Sequence, residues 1–154
     1  MSEGTRPDVV VRPMLPADVA EMLDVWVAAW QDAYPEIDFG ARRTWTVDRI
    51  AELERTGSQS LVALVADRIL GALVVNPDTG YLDQLVVATQ FQGRGIAEVL
   101  LAEARRLSPA GLDLHVNKDN VRAIRFYEKC GFIKAGEDVN PLSGAPIYKM
   151  TWRP

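Results

Sequence analysis

The chain has 154 residues, 48% of them hydrophobic and 25% charged, with one cysteine. That length fits a single ordinary domain, able to bury roughly 70% of its extended-chain surface without disulfides or structural metal. A lone cysteine excludes a disulfide framework, and a net charge of −4 excludes a domain held to nucleic acid by its overall field. Apolar stretches such as Leu61 to Ala66 stop far short of the ~20 residues a membrane helix needs. The start, Met1 to Pro13, has no apolar run behind its charges, so it reads as no signal peptide. These features predict a cytoplasmic protein with neither nucleic acid nor membrane as partner. Charge is nevertheless uneven: seven basic and five acidic residues lie between Arg94 and Lys129, a positive stretch in an acidic protein.

Val9, Val10 and Val11, closed by Pro13, read as a short strand. After Pro16, Val19, Met22, Leu23, Trp26, Val27, Trp30, Ala33 and Tyr34 recur at steps of three and four, predicting one amphipathic helix that Pro35 ends. A second helix is expected from Thr46 to Arg55, stopped at Gly57. Leu61 to Ala66 and Ile69 to Val75, parted only by Asp67 and Arg68, form a hairpin, and Tyr81 to Val87 adds a third strand after a polar turn. Short turns force these three strands to be antiparallel. Ile96, Leu100, Ala104 and Leu107 mark a helix, Leu112, Leu114 and Val116 a strand, and Asp119 to Cys130 another helix with Gly131 at its C-terminal cap. Phe132 to Ala135 and Ile147 to Trp152 close the chain as strands. The order β-α-α-β-β-β-α-β-α-β-β predicts a single α/β (α+β) domain over 1-154, with helices on a mixed, mostly antiparallel sheet.

Leu85, Val86 and Val87 run through Gln92, Gly93, Arg94, Gly95, Ile96 and Ala97, so a strand enters a helix by a glycine-bearing turn. The first N–H groups of a helix have no partner within it and carry the positive end of its dipole. Glycines remove the Cβ atoms that would keep an anion from those amides. A diphosphate fits such a turn, and plain turn chemistry fits it too. The Rossmann fingerprint fails because Glu98 stands where a glycine or alanine belongs, and no Gly-Lys-Ser or Gly-Lys-Thr loop is present.

Gln92-Gly93-Arg94-Gly95-Ile96-Ala97 resembles the Q/R-x-x-G-x-G/A motif of the GCN5-related N-acetyltransferases (GNAT). Asn120-Val121-Arg122-Ala123-Ile124-Arg125-Phe126-Tyr127-Glu128-Lys129-Cys130-Gly131-Phe132 resembles the family's more specific N-x-x-A-x-x-F-Y-x-x-x-G-F segment. Thr89 departs from a proline the family often carries at that turn. The resemblance implies a sheet splayed between its fourth and fifth strands, helices on both faces, and acetyl-coenzyme A as co-substrate with no metal. It implies that Leu85, Val86 and Val87 pair with the pantetheine arm, that the amides from Gly93 to Glu98 hold the diphosphate, and that Asn120 meets a pantetheine amide. It also makes a homodimer plausible.

By the same resemblance Tyr127 faces the coenzyme sulfur as general acid. Giving a phenol proton (pKa ≈ 10) to a thiolate (≈ 8.5) is uphill by about 2 kcal/mol, which favours a hydrogen bond to the developing thiolate over full transfer. A packed helix tyrosine is the alternative, as an N-cap is for Asn120. The acceptor must attack as a free amine. Asp83 as its direct base faces a deficit of roughly 9 kcal/mol, whereas an imidazole is a better matched base and His115, by the same resemblance, occupies a fifth-strand place where some family members that acetylate protein N-termini carry an acidic base. Val87 N–H is the resemblance's candidate oxyanion donor. Trp26, Trp30 and Tyr34 read first as a buried helix face; by the resemblance the first helix borders the acceptor cleft, where these aromatics, followed by Glu36 and Asp38, would favour a cationic amine. The leading function is an N-acetyltransferase acting on a primary amine of a small molecule or peptide; the alternative is a non-catalytic acyl-coenzyme A sensor, and a dinucleotide oxidoreductase, with Asp113 at about the distance of a ribose acid, is the third reading.

Overall fold

A computed structural model describes residues 8–154. The reading of the chain start therefore lies partly outside the described residues, since it includes residues 1–7. The valine run becomes β1 (Val10–Pro13), an edge strand. Met14 N–H donates to Ser60 at 2.9 Å, so Pro13 falls where the strand needs no N–H toward its neighbour. Helix α1 (Val19–Ala33) buries Met22, Leu23, Trp26 and Ala29, and its chain turns extended at Tyr34 ahead of Pro35. Helix α2 (Arg43–Arg55) starts a turn earlier than predicted. A short 3-10 turn over Gly40–Arg42 winds directly into it, and the buried Thr46 hydroxyl donates to Arg42 O at 2.9 Å.

Strands β2 (Gln59–Val65), β3 (Arg68–Val75) and β4 (Leu82–Val87) follow as an antiparallel meander, then α3 (Ile96–Leu107), β5 (Leu112–Asn117), α4 (Val121–Lys129), β6 (Ile133–Val139) and β7 (Pro146–Trp152). Helix α4 ends as the sequence predicts: Gly131 has φ +95, Phe132 N–H donates to Tyr127 O and Gly131 N–H to Glu128 O. Strand β6 extends four residues past its predicted end. Gly136, Glu137 and Asp138 have little strand propensity of their own, and pairing with β7 around a bulge at Ala135 supplies the order.

The strands form two antiparallel sheets, β1-β2-β3-β4 and β5-β7-β6. Between them β4 and β5 run parallel and touch at one bridge, Tyr81 with Asp113, where Asp113 N–H donates to Gly80 O at 2.9 Å. Beyond that point the seam is open, as the predicted fold class requires. Alternation along β2 and β3 sends Leu61, Ala63, Leu73 and Val75 to a core beneath α3 and α4. Val62, Leu64, Ala72 and Val74 go to a second core beneath α1 and α2. Helices therefore cover both faces. Gly71 lets α3 settle on β3: a Cβ there would lie 2.9 Å from Val86 O and 3.0 Å from Leu100 Cδ1.

Candidate active site

The seam is built by β4. Val74 faces Gln84 and Val75 faces Leu82, so Asp83 is the extra residue of a bulge. Leu85 and Val87 pack toward the α3–α4 core, and Val86 toward the α1–α2 core. Ala88 N–H donates to Leu70 O at 2.7 Å, which puts Ala88, and by alternation Val86, in hydrogen-bonded pairs with β3. Leu85 and Val87 therefore turn their N–H and C=O groups to the seam, while the expected participation of the Val86 backbone gives way to the ladder with Ala72. Gln92 Nε2 donates to the Val87 carbonyl at 3.3 Å and leaves the Val87 N–H facing the opening.

At the seam's wide end the chain passes a 3-10 turn, Thr89–Phe91, and reaches Gly93 (φ +79) and Gly95 (φ +88), both in the left-handed region that disfavours a side chain. Val99 N–H is the first amide to reach a helical carbonyl, that of Gly95 at 3.1 Å. Among the described residues no protein group accepts from the amides of Gly93 to Glu98. A Cβ at Gly93 would meet nothing within 4 Å, so the turn is uncovered on that side. Six unpaired N–H groups at and just before the start of a twelve-residue helix are the donors that binding an anion requires. Ile96, 1% exposed, anchors the turn, with Ala97 half-buried behind it. Arg94 lies at the rim, its guanidinium 5.6 Å from the Phe91 ring centre, and Glu98 is exposed.

Helix α4 closes the other side. Asn120 caps it, its Oδ1 accepting from Ala123 N–H at 3.3 Å, which leaves the Nδ2 donors for a ligand. Tyr127 is buried against Phe126 and Phe132, each ring centre 5.4 Å away. Its hydroxyl has no hydrogen-bond partner among the described residues, and burial holds the phenol protonated well above its ordinary range. Burial likewise raises the Cys130 thiol. Arg122, Arg125 and Lys129 are exposed.

The α1–α2 side of the seam carries a second set of groups. Because Tyr81 lies beside Asp113 on a parallel strand, His115, two residues further along β5, comes within reach of the Tyr81 ring. His115 is exposed, its Nδ1 2.7 Å from the Tyr81 hydroxyl. Burial first, then the Asp83 charge, raises the Tyr81 phenol. Asp83 itself is 5% exposed and is gripped by Arg49 of α2 at 2.6 and 3.2 Å, with Gln84 Nε2 at 3.2 Å. That forked ion pair occupies both carboxylate oxygens, so the structure does not offer Asp83 as a free base. The aromatic stripe is corrected as well. Trp26 is 5% exposed, packed on Phe39 and bonded through Nε1 to Gln84 at 3.2 Å, so it is core and not an acceptor surface. Trp30 is half-buried, stacked on Tyr34 and Phe39, and the Tyr34 hydroxyl is engaged with Asp119 and Asn117. Sequence reasoning missed Tyr81, Arg49 and Asn117. No local pattern marks them, because strand pairing across more than thirty residues brings Tyr81 to His115.

Among the described residues no group of three or more His, Cys, Asp or Glu side chains is placed to hold a metal ion, and no helix is long and apolar enough to cross a membrane. The profile of the Acetyltransferase (GNAT) family matches residues 19–132, and the chain belongs to that family. A mycothiol acetyltransferase of Kineococcus radiotolerans is 33% identical over 159 residues, covering 94% of this chain and 50% of the relative. The peptidyl-lysine N-acetyltransferase YjaB of Salmonella typhimurium is 38% identical over 66 residues, 43% of this chain and 45% of the relative. The chain thus spans about half the length of these curated relatives. In fold it is similar to the PaiA N-acetyltransferase of Thermoplasma acidophilum in complex with coenzyme A, with TM-score 0.79, 16% identity, and coverage of 96% of this chain and 99% of that one. A GCN5-related N-acetyltransferase of Rhodopseudomonas palustris gives TM-score 0.79 at 22% identity, covering 100% and 99%.

Proposed function

We propose that the protein is an acetyl-coenzyme A dependent N-acetyltransferase acting on a primary amine of a small molecule or peptide. The observation that carries this reading is the seam: backbone groups of Leu85 and Val87 face an opening that leads to six unpaired amides at a glycine turn. Unpaired backbone groups in a cleft cost free energy unless a ligand satisfies them, and a pantetheine arm ending in a diphosphate has donors, acceptors and charge in the matching order. Relatives named as acetyltransferases of peptidyl-lysine and of spermidine support an amine as the acceptor.

Acetyl-coenzyme A, when bound, supplies an acetyl group activated as a thioester. Leu85 and Val87 hold the arm as an added strand would, and the amides from Gly93 to Glu98 hold the diphosphate. Asn120 gives its Nδ2 protons to the arm while its oxygen keeps the cap. Tyr127, kept protonated by burial, donates its hydroxyl hydrogen toward the departing sulfur. The Val87 N–H, left free by Gln92, stabilises negative charge on the carbonyl oxygen. On the opposite face the His115 imidazole is the final acceptor of the amine's proton: the Tyr81 hydroxyl, 2.7 Å from Nδ1, passes its own proton to the ring as it takes the amine's, and Asp83 and Arg49 fix the bulge beside them. Incubation with acetyl-coenzyme A and a panel of amines, following free thiol, tests the reading. Amine-dependent thiol release is expected; coenzyme binding without release across the panel would instead mark an acyl-coenzyme A sensor.

A further inference from the structure

Tyr34 ends α1 yet touches the far half of the molecule. Its hydroxyl donates to Asp119 Oδ1 at 2.6 Å and accepts from Asn117 Nδ2 at 3.1 Å, so both functions of the phenol are used on the segment that leaves β5. Helix α1 belongs to the first half, because its buried face packs on β3 and β4. Among the described residues the two half-sheets share one backbone bridge, at Tyr81 and Asp113. That bridge lies at the narrow end of the seam. Asn117, at the C-terminal end of β5, lies at the wide end.

We infer that Tyr34 is a strap across the open end of the seam and a positioning residue for the coenzyme groove. The inference rests on the acetyl-coenzyme A reading. Three observations give the strap its rigidity. Trp30 stacks on the Tyr34 ring at 5.9 Å. Gln31 Nε2 collects the carbonyls of Tyr34, Pro35 and Ile37 at 3.2, 3.0 and 2.6 Å, which fixes the loop carrying the ring. Burial, then Asp119, pushes the phenol up to about 12, so it stays a donor over the physiological range. Asp119 adjoins Asn120, the cap of α4, and α4 carries Tyr127. The hydroxyl of Tyr34 therefore sets how far α4 and its cap stand from Leu85 and Val87, the width a pantetheine arm must match.

Two measurements on the full chain test this. In the ligand-free protein, Tyr34→Phe speeds amide hydrogen exchange at residues 118–123, while exchange in β2 and β3 is unaltered. Coenzyme A affinity, measured by titration calorimetry, falls about tenfold, the equivalent of about 1.4 kcal/mol. Asp119→Ala reproduces the loss, Asp119→Asn retains most of the affinity because it keeps an acceptor oxygen, and Tyr34→Phe/Asp119→Ala is no weaker than the worse single variant. A residue that only stabilised the fold would lower the melting midpoint without this pattern of rescue and coupling. Unchanged exchange at 118–123 overturns the strap. Faster exchange with unchanged coenzyme affinity overturns its positioning role. Failure of the parent protein to bind coenzyme A is a separate result that removes the underlying reading and the inference with it.

Discussion

Replacing Tyr127 by phenylalanine separates chemistry from stability because of how the hydroxyl sits. The ring is held by Phe126 and Phe132, and the phenylalanine ring keeps those contacts. The hydroxyl bonds to no protein group among the described residues, so its removal breaks no hydrogen bond of the fold. Unfolding free energy therefore changes by less than about 0.5 kcal/mol, and a gain is as compatible as a loss because a polar atom leaves a buried site. The reaction loses a hydrogen bond to developing negative charge, worth about 1.5 to 3 kcal/mol, which lowers turnover roughly 10- to 150-fold. Coenzyme affinity stays near that of the parent, since the bond strengthens only as the sulfur gains charge. The assay is the initial rate of thiol release at saturating acetyl-coenzyme A and amine, alongside calorimetric coenzyme titration and urea denaturation. Turnover within about a factor of three of the parent would refute the reasoning and return Tyr127 to a packing role.

His115→Ala lowers amine-dependent turnover by about 10²- to 10⁴-fold with coenzyme affinity unchanged; equal loss of both would show a structural role instead. Arg49→Met leaves the 5% exposed Asp83 carboxylate unpaired and destabilises the fold by roughly 1 to 3 kcal/mol in urea denaturation, the upper figures for buried pairs being discounted because Arg49 is 39% exposed. Gly71→Ala drives a methyl to within 2.9 Å of Val86 O and destabilises by about 1 to 3 kcal/mol, with α3 displaced and coenzyme affinity falling in parallel. Above pH ~10 the protein loses stability progressively. The unfolded phenols ionise near 10. In the fold, burial holds Tyr34 protonated up to about 12 and raises Tyr127 and Tyr81. The unfolded state thus binds fewer protons in this window, and unfolding becomes easier as pH rises. Urea midpoints measured from pH 8 to 11 check the sign, and a rising midpoint would contradict it.

Local pattern determined most of the elements and part of the site. The steps of three and four along α1, the glycine cap at Gly131 and the strand-to-helix turn at Gly93 and Gly95 all depend on residues within a turn or two of each other. Tertiary contact decided the rest. Strand β6 runs on through Gly136, Glu137 and Asp138 because β7 lies beside it. The aromatic stripe of α1 is core at Trp26 and strap at Tyr34, and the difference is set by Phe39 and Asp119, one nearby and the other on the far half of the chain. Asp83 reads as a free carboxylate until α2 brings Arg49 to it, and Tyr81 gains a role once β4 and β5 align in parallel. Hydrophobic period and turn chemistry are short-range and visible in the chain. The width of the seam, and which polar side chains meet across it, depend on how two half-sheets pack, which no local stretch encodes.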